Sequence, residues 1–222
     1  MIRRMIGPLA VGIVGTAILL WLGVWQVQRL AWKEGVLADI DARIAAAPVP
    51  LPAAPDPEAD RFKPVEASGR LTDETLRVLA SIKRVGAVHR IIAVLDADGR
   101  RVLVDLGYVS ALTPAATATP GPITVTGNLH WPDEVDRFTP EPGDGLWFAR
   151  DVPAMAAVLG TEPVLIVART VSPADPVVTP LPVDTSGIPN DHLEYAITWF
   201  SLAVVWLGMT GWLLWRIRRR TV

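Results

Sequence analysis

The three histidines of this chain are its most direct candidates for metal or acid–base chemistry, and His192 has the most informative neighbours. It shares one helical face with Tyr195, Ala196, Trp199 and Ala203, at the start of a long apolar run. The positive end of a helix disfavours an imidazolium, so we expect a neutral imidazole that can ligate a metal. The two rings could stack on a flat ligand, and the two alanines would let it approach. A histidine that hydrogen-bonds lipid headgroups is the alternative interpretation.

The residues just before this face predict the start of a membrane-spanning helix. Asn190 is a favoured N-cap residue, and Asp191 suits the positive end of the helix dipole. At ~1.5 Å per residue, a helix as long as the uncharged run that follows would cross a hydrocarbon core of roughly 30 Å. We therefore predict a transmembrane helix over residues 190–215 and a basic tail over residues 216–222.

A second set of candidate binding residues lies near the N-terminus. Trp21, Trp25, Gln28 and Trp32 follow one another at spacings of four, three and four residues, which places them in one helical stripe with Arg29 beside it. An aromatic wall with a cationic tip suits a flat amphiphilic ligand that carries carboxylates. The alternative is an interfacial belt of tryptophan and arginine, which is common in membrane proteins.

This stripe lies at the end of another apolar run, which predicts a transmembrane helix over residues 5–28 that continues outside the membrane to about residue 47. The run is too long for the apolar region of a secretory signal, and no small-x-small cleavage site follows it, so we expect an uncleaved anchor. If the two membrane helices pack antiparallel, Trp25 and Arg29 would face His192 and Trp199 at the same bilayer depth.

The basic residues at the two ends of the chain predict its orientation. By the positive-inside rule, six flanking arginines place both termini in the cytoplasm and the middle segment outside. These are Arg3, Arg4, Arg216, Arg218, Arg219 and Arg220. With these six removed from the 21 Lys+Arg, the middle segment has 15 basic residues against 23 acidic ones, a net charge of −8. This negative net charge argues against nucleic-acid binding. The chain also has no cysteine, which excludes disulfides, thiolate metal sites and c-type haem attachment.

The middle segment predicts one small domain between two connectors. Proline-rich linkers are expected over residues 48–60 and 172–189, with a β-rich domain over residues 61–171. Two alternating runs flank Asp98-Gly99, a strong hairpin signal. The fold class is therefore two transmembrane α-helices flanking a small β-rich (α+β) domain.

Little in this domain suggests catalysis. The stretch "RDVPAMAAVLG" predicts a short helix that has Asp151 as its N-cap, Pro153 in its first turn and Gly160 at its end. His89 and His130 fall in or at the end of predicted strands, and a surface or strand-end role is expected for both. The chain carries no GxSxG, HExxH or P-loop motif, so we do not expect an enzyme.

Two stretches resemble the terminal signatures of a known family. "LGVWQVQRLAWKEGVL" at residues 22–37 is similar to the G-x-W-Q-x-x-R-x-x-W-K signature of the surfeit-locus cytochrome oxidase assembly family, and "NDHLEYAITWFSLA" at residues 190–203 is similar to its N-x-H-x-x-Y-A-x-T-W-F signature. Segments between them fall in the family's order, so the resemblance covers nearly the whole chain. One departure is that the family usually has R-G-W-V-P where this chain has L-G-Y-V-S at residues 106–110.

The resemblance implies a multi-pass protein of the bacterial inner membrane with a periplasmic central domain. Members assist assembly of haem-copper oxidases, and bacterial ones are regarded as binding haem a and passing it from haem a synthase to oxidase subunit I. The family's histidine at the start of the second helix, the proposed axial ligand of the haem iron, corresponds to His192. With it, Tyr195, Trp199, Trp25 and Arg29 become the expected cofactor-binding residues. A scaffold that holds early oxidase intermediates without carrying haem is the alternative function, and an unrelated membrane-anchored enzyme or sensor is a third.

Overall fold

The computed structural model describes residues 2–112, 118–143 and 145–220. The chain forms two compact units, one from Met1–Asp39 and Thr185–Val222, hereafter the helix pair, and one from Ile40–Asp184, hereafter the sheet unit. In chain order the elements are α1 (Ile2–Ala45), β1 (Val49–Pro50), β2 (Pro64–Ile82), β3 (Gly86–Ala97), β4 (Arg100–Ser110), β5 (Gly121–Leu129), β6 (Leu146–Trp147), α2 (Val152–Leu159), β7 (Leu165–Ser172) and α3 (His192–Arg219).

Both long helices are apolar enough to cross a membrane. The span Met5–Ala45 reaches a mean hydropathy of 2.1, and His192–Arg219 reaches 1.6. In these most apolar stretches 11% and 6% of the residues are buried, so most of their apolar side chains face outward. Exposed apolar helices of this length suggest a membrane protein, because water would not tolerate so much apolar surface.

Small and polar residues line the side of α1 that packs against α3. Gly12, Thr16, Gly23 and Gln26 are buried, whereas their apolar neighbours in α1 are largely exposed. Their spacings of four, seven and three residues keep them on one face of a helix in the heptad pattern of paired helices. In lipid, small residues favour helix association because they let two backbones approach closely. We call this face the seam of α1.

Two aromatic side chains of α3 fill the space that the glycines leave. A methyl group added at Gly23 would lie 2.6 Å from Cε1 of Phe200, and one added at Gly15 would overlap the indole of Trp206. The indole Nε1–H of Trp206 also donates a hydrogen bond of 3.2 Å to the carbonyl oxygen of Gly12. Residues early in α1 thus contact residues late in α3, which confirms the expected antiparallel packing.

The start of α3 differs by one residue from the prediction. Asn190 is not the N-cap: that position belongs to Asp191, whose side chain makes no capping hydrogen bond. The helix also continues past residue 215 to Arg219, because arginine is a good helix former and the basic residues extend it.

The strands of the sheet unit close into a ring. β2 pairs antiparallel with β3 through its second half and with β5 through its first half. The remaining pairings are β3 with β4, β4 with β7, and β7 with β5, of which only β4–β7 is parallel. Each of the five strands therefore has two neighbours within the ring. The short strands β1 and β6 each pair with β2 from outside the ring.

The two faces of this sheet have separate hydrophobic clusters. One contains alternate residues from all five ring strands, among them Val65, Leu95, Val104, Val125 and Ile166, and fills the inside of the ring. The other joins residues of the opposite parity to Trp147 and to the apolar face of α2. Period-two alternation in the strands decides which residues enter which cluster.

Several local predictions for this unit are confirmed. The hairpin between β3 and β4 turns at Asp98 and Gly99, whose φ angles of 53° and 78° are those that a two-residue turn of this type needs. Asp151 caps α2 by accepting a hydrogen bond of 3.0 Å from the backbone N–H of Ala154, and Gly160 ends that helix with a left-handed φ of 62°.

The last turn of α1 is tied to the sheet unit, to which it belongs. The carbonyl oxygen of Ile44 accepts a hydrogen bond of 3.1 Å from the amide of Asn128 and one of 2.5 Å from the guanidinium of Arg169. Arg169 also donates to the amide oxygen of Asn128 at 3.0 Å. These side chains satisfy a helix-end carbonyl that has no partner within its own helix.

The segment at residues 106–110, where this chain departs from its resemblance, begins at a β-bulge. Ile91 pairs with Gly107 and Ile92 with Asp105, so Leu106 is an extra residue in β4. Its side chain is 3% exposed and belongs to the cluster inside the ring. An apolar residue therefore suits this position of the present chain.

Candidate functional site

The helix pair brings His192 into contact with Gln26. Nδ1 of His192 lies 2.8 Å from Oε1 of Gln26. An amide oxygen can only accept, so the imidazole donates and carries its proton on Nδ1. The second ring nitrogen, Nε2, then holds the lone pair with which a neutral histidine binds a metal. His192 is half-buried at the first residue of α3, whereas Gln26 is 8% exposed in the seam of α1.

A second polar group beside His192 has an unmet hydrogen-bonding capacity. The side-chain oxygen Oδ1 of Asn190 is buried and has no hydrogen-bond partner within the described residues. Buried polar atoms in proteins are almost always paired with protein, water or a ligand. Asn190 lies two residues before His192 in the chain.

The structure distributes the other predicted site residues over the outer surface of the helix pair. Tyr195 is 54% exposed and Trp25 is 47% exposed, whereas Trp199 is half-buried. Arg29 is exposed, and its guanidinium lies 3.8 Å from the ring centroid of Trp32. The side chain that hydrogen-bonds His192 is that of Gln26, the residue after Trp25. The aromatic and cationic groups thus do not form this hydrogen bond.

Sequence reasoning missed Gln26 because it followed the tryptophans. Trp21, Trp25, Gln28 and Trp32 are all exposed. Apolar rings can be exposed on a helix that lies in lipid, because lipid is as apolar as the rings. The spacing of the small residues in the seam of α1 is the sequence signal that could have found Gln26. Counting three residues on from Gly23 places Gln26 on the buried face.

Ala196 and Ala203 also have a different role from the expected one. They are 2% and 1% exposed on the side of α3 that carries Phe200 and Trp206. Small residues here permit close helix packing, so the space that was expected to admit a flat ligand is occupied by the chain itself.

The sheet unit holds a separate cluster of buried charges. Oδ2 of Asp105 accepts hydrogen bonds from Nε of Arg90 at 2.7 Å and from Nη1 of Arg150 at 3.3 Å, and the carboxylate is 0% exposed. Arg150 also forms an ion pair with Glu134. Burial alone would raise the pKa of Glu134, but the hydrogen bonds and charge of Arg150 outweigh it, so this pKa lies below its usual range. Two arginines and two carboxylates balance one another, as buried charges must.

His130 lies beside this cluster, directly after β5. Its ring stacks on Phe62 with 5.3 Å between centroids. Burial, reinforced by the positive charges of Arg150 and Arg61, lowers the pKa of His130 to about 4. The imidazole is therefore neutral at physiological pH, and its environment of arginines repels a bound cation. The expected strand-end position is confirmed, and the pKa gives no support to a metal site.

The side chains present do not make a metal cage of their own. Among the described residues, no group of three or more His, Cys, Asp and Glu side chains is placed to hold a metal ion. A metal at His192 would have to bring most of its own ligands. Haem does so, because the porphyrin supplies four nitrogens and leaves an axial position for one imidazole. A single imidazole is a donor of the kind that haem iron takes from a protein.

Comparison with known proteins identifies the family. The model of the SURF1 family matches residues 13–204, which include most of α1, the first part of α3 and the whole ring of strands. The chain belongs to the SURF1 family. That family is known for cytochrome oxidase assembly factors, so the resemblance noted in the two terminal signatures is confirmed, and membership fits the expectation of a protein that is not an enzyme.

Relatives in this family come from several organisms. Surfeit locus protein 1 of Rattus norvegicus is 29% identical over 212 residues, which cover 82% of this chain and 67% of the relative. The protein of the same name from Homo sapiens is 29% identical, with 82% and 69% covered. A SURF1-like protein of Monosiga brevicollis is 30% identical over 85% of this chain and 80% of its own length. The similarity thus spans the helix pair and the sheet unit together.

Proposed function

We propose that this chain is a membrane-bound assembly factor for a haem-copper (cytochrome c type) terminal oxidase, which binds haem a and aids its insertion into oxidase subunit I. The observation that carries the proposal is the contact of His192 with Gln26 in a member of the SURF1 family. It gives a half-buried imidazole with a defined ligand nitrogen at the end of an apolar helix pair.

The proposed location is the bacterial inner membrane. Both long helices are apolar and outward-facing, and the flanking arginines favour an orientation with both termini in the cytoplasm. In that orientation His192 lies at the periplasmic end of its span, and the sheet unit lies in the periplasm. Membrane lipid then covers the exposed apolar side chains of the helix pair.

The residues around His192 match the chemistry of the proposed cargo. Haem a supplies an iron that takes an axial imidazole, and it is flat, apolar at its tail and anionic at its propionates. His192 would hold the iron through Nε2. Trp25 and Tyr195 present half-exposed rings near the same end of the pair, and Arg29 supplies a cation for a carboxylate.

The test is haem content after co-production of the chain with haem a synthase. The purified wild type should carry haem a, and His192→Ala should lose most of it with a changed absorption spectrum. His89→Ala is a matched control, because it removes a half-buried histidine of the sheet unit. A wild type without haem, or a His192→Ala protein with unchanged haem and spectrum, contradicts the proposal.

A scaffold without haem is the second candidate. Phe138 is 75% exposed and Val158 is 66% exposed, and single exposed apolar residues are common on protein surfaces, so the effect of substituting them must distinguish the two candidates. Haem a synthase and oxidase subunit I are the proposed partners. If oxidase assembly fails in Phe138→Ser while haem loading of the chain stays normal, the scaffold function is the better explanation.

A further inference from the structure

Gln26 is a polar side chain buried between two apolar helices. Gln26 lies at the end of the apolar run of α1 and is only 8% exposed. Polar side chains within such helices are costly, and they are kept where they make a specific contact. The contact here is the 2.8 Å hydrogen bond to Nδ1 of His192.

The hydrogen bond fixes two properties of the imidazole. Because Oε1 of Gln26 accepts, a neutral imidazole that makes this bond carries its proton on Nδ1 and its lone pair on Nε2. The bond also restrains rotation of the ring, since its partner is held in the seam of α1. A free histidine would share its population between two tautomers and several ring orientations. Only part of that population could ligate through Nε2.

We propose that Gln26 is the positioning residue of the haem site, and that it selects the tautomer and ring orientation in which Nε2 of His192 binds iron. This inference depends on the proposed function, because it assigns the partner of the same ligand. Partners of this kind raise the basicity of a ligating imidazole, and their loss usually weakens metal affinity about 10- to 100-fold. Gln26 would act through His192 and would not touch the iron.

A purely structural role for Gln26 is the competing explanation. Interhelical hydrogen bonds of buried amides also hold helices together in membranes. The pair has another such contact, from Trp206 to the carbonyl of Gly12. The test must therefore measure a property of the bound haem, because a weaker helix contact would leave the iron's potential unchanged.

The experiment uses the full chain in detergent, titrated with haem a. Gln26→Leu removes the acceptor at similar volume, and Gln26→Glu keeps an acceptor and adds charge. Glu34→Leu is the control, because it places a leucine at an exposed position of the same helix. The measurements are the dissociation constant for haem a, the absorption spectrum and the midpoint potential. Circular dichroism checks that each variant is folded.

The expected results separate the inference from the proposed function. Gln26→Leu should weaken haem a binding at least about tenfold. Gln26→Glu should retain binding with a lower midpoint potential, because a carboxylate makes the imidazole more basic and favours ferric iron. Wild-type affinity and potential in both folded variants would overturn the inference while leaving His192 as ligand. A wild type that binds no haem a would instead overturn the proposed function.

Discussion

Replacing Asp105 by asparagine tests how far the sheet unit depends on one buried negative charge. The carboxylate is 0% exposed. Its Oδ2 lies 2.7 Å from Nε and 2.6 Å from Nη2 of Arg90 and 3.3 Å from Nη1 of Arg150. Its Oδ1 accepts from the backbone N–H of Gly107 at 3.1 Å, inside the β4 bulge. Asparagine keeps the shape but removes the charge, and its amide NH2 group must point either at the guanidiniums or at the backbone N–H of Gly107, all of which are donors.

The expected loss of stability is large. Arg90 is 8% exposed, so its charge would remain buried with no carboxylate directly against it. Breaking one side of a buried ion pair costs about 3–5 kcal/mol, because the other charge is left without compensation. That is a large part of the roughly 5–15 kcal/mol that stabilises a whole domain. Glu134 would still pair with Arg150 and reduce the effect toward the lower end of the range.

Hydrogen exchange followed by mass spectrometry can measure this loss of stability in the sheet unit itself. Core amides of β3 and β4 exchange through global opening of their unit, so their protection should fall between about 100-fold and 5000-fold. Asp73→Asn provides the control at an exposed position of β2. The double variant Asp105→Leu with Arg90→Leu should be more stable than Asp105→Leu alone, since an apolar pair leaves no lone cation. A change below about 1 kcal/mol in Asp105→Asn would refute the reasoning.

Three further predictions concern other positions. The pKa of His130 is about 4 in the folded chain and near 6.5 in the unfolded chain. As the pH falls from about 6.5 to about 4, the unfolded state therefore binds a proton first, and the folded state loses roughly 2–3 kcal/mol of stability. Urea unfolding of His130→Leu, measured against pH, should lack this loss. Gly23→Leu should disrupt the helix pair, because a side chain there would overlap Phe200, whereas Gly208→Leu should not, because nothing lies within 4 Å of the added group. The measurement is crosslinking between cysteine pairs placed across the seam, which is possible because the chain has no native cysteine. Gly107→Ala should be much more destabilising than Gly99→Ala in thermal unfolding, because both have positive φ but a methyl group at the former would overlap a backbone carbonyl; equal losses would contradict this account.

The strands that sequence reasoning predicted are those with local signals. Alternating β-branched residues on both sides of Asp98-Gly99 define β3 and β4, and their turn residues fix the register. The closure of the ring was not predictable in this way. It depends on β2 exchanging partners near Leu71, from β5 to β3, and that choice is made by contacts with residues far along the chain. The two-residue strands β1 and β6 carry no periodic signal at all.

The candidate site was predicted in part, and the missed part has a physical reason. His192 was found because a titratable residue at the edge of an apolar run is unusual. Its partner was missed because the stripe of tryptophans was taken as the binding face. In water the apolar face of a helix is buried, but in lipid that preference is lost, and small or polar residues occupy the contact. Applied to α1, this rule selects Gly12, Thr16, Gly23 and Gln26.

The identity of the side chain at position 26 bears on what the proposed site can do. A carrier must bind its cargo and also release it, so the ligand cannot be as strong as chemistry allows. A carboxylate partner would make the imidazole of His192 more basic and hold ferric iron more tightly. An apolar partner would leave the ring disordered between tautomers, with weaker binding. The neutral amide of Gln26 lies between these limits: it fixes the nitrogen that binds and adds no charge. A single imidazole with an amide partner therefore suits a site that must bind its cargo and also release it.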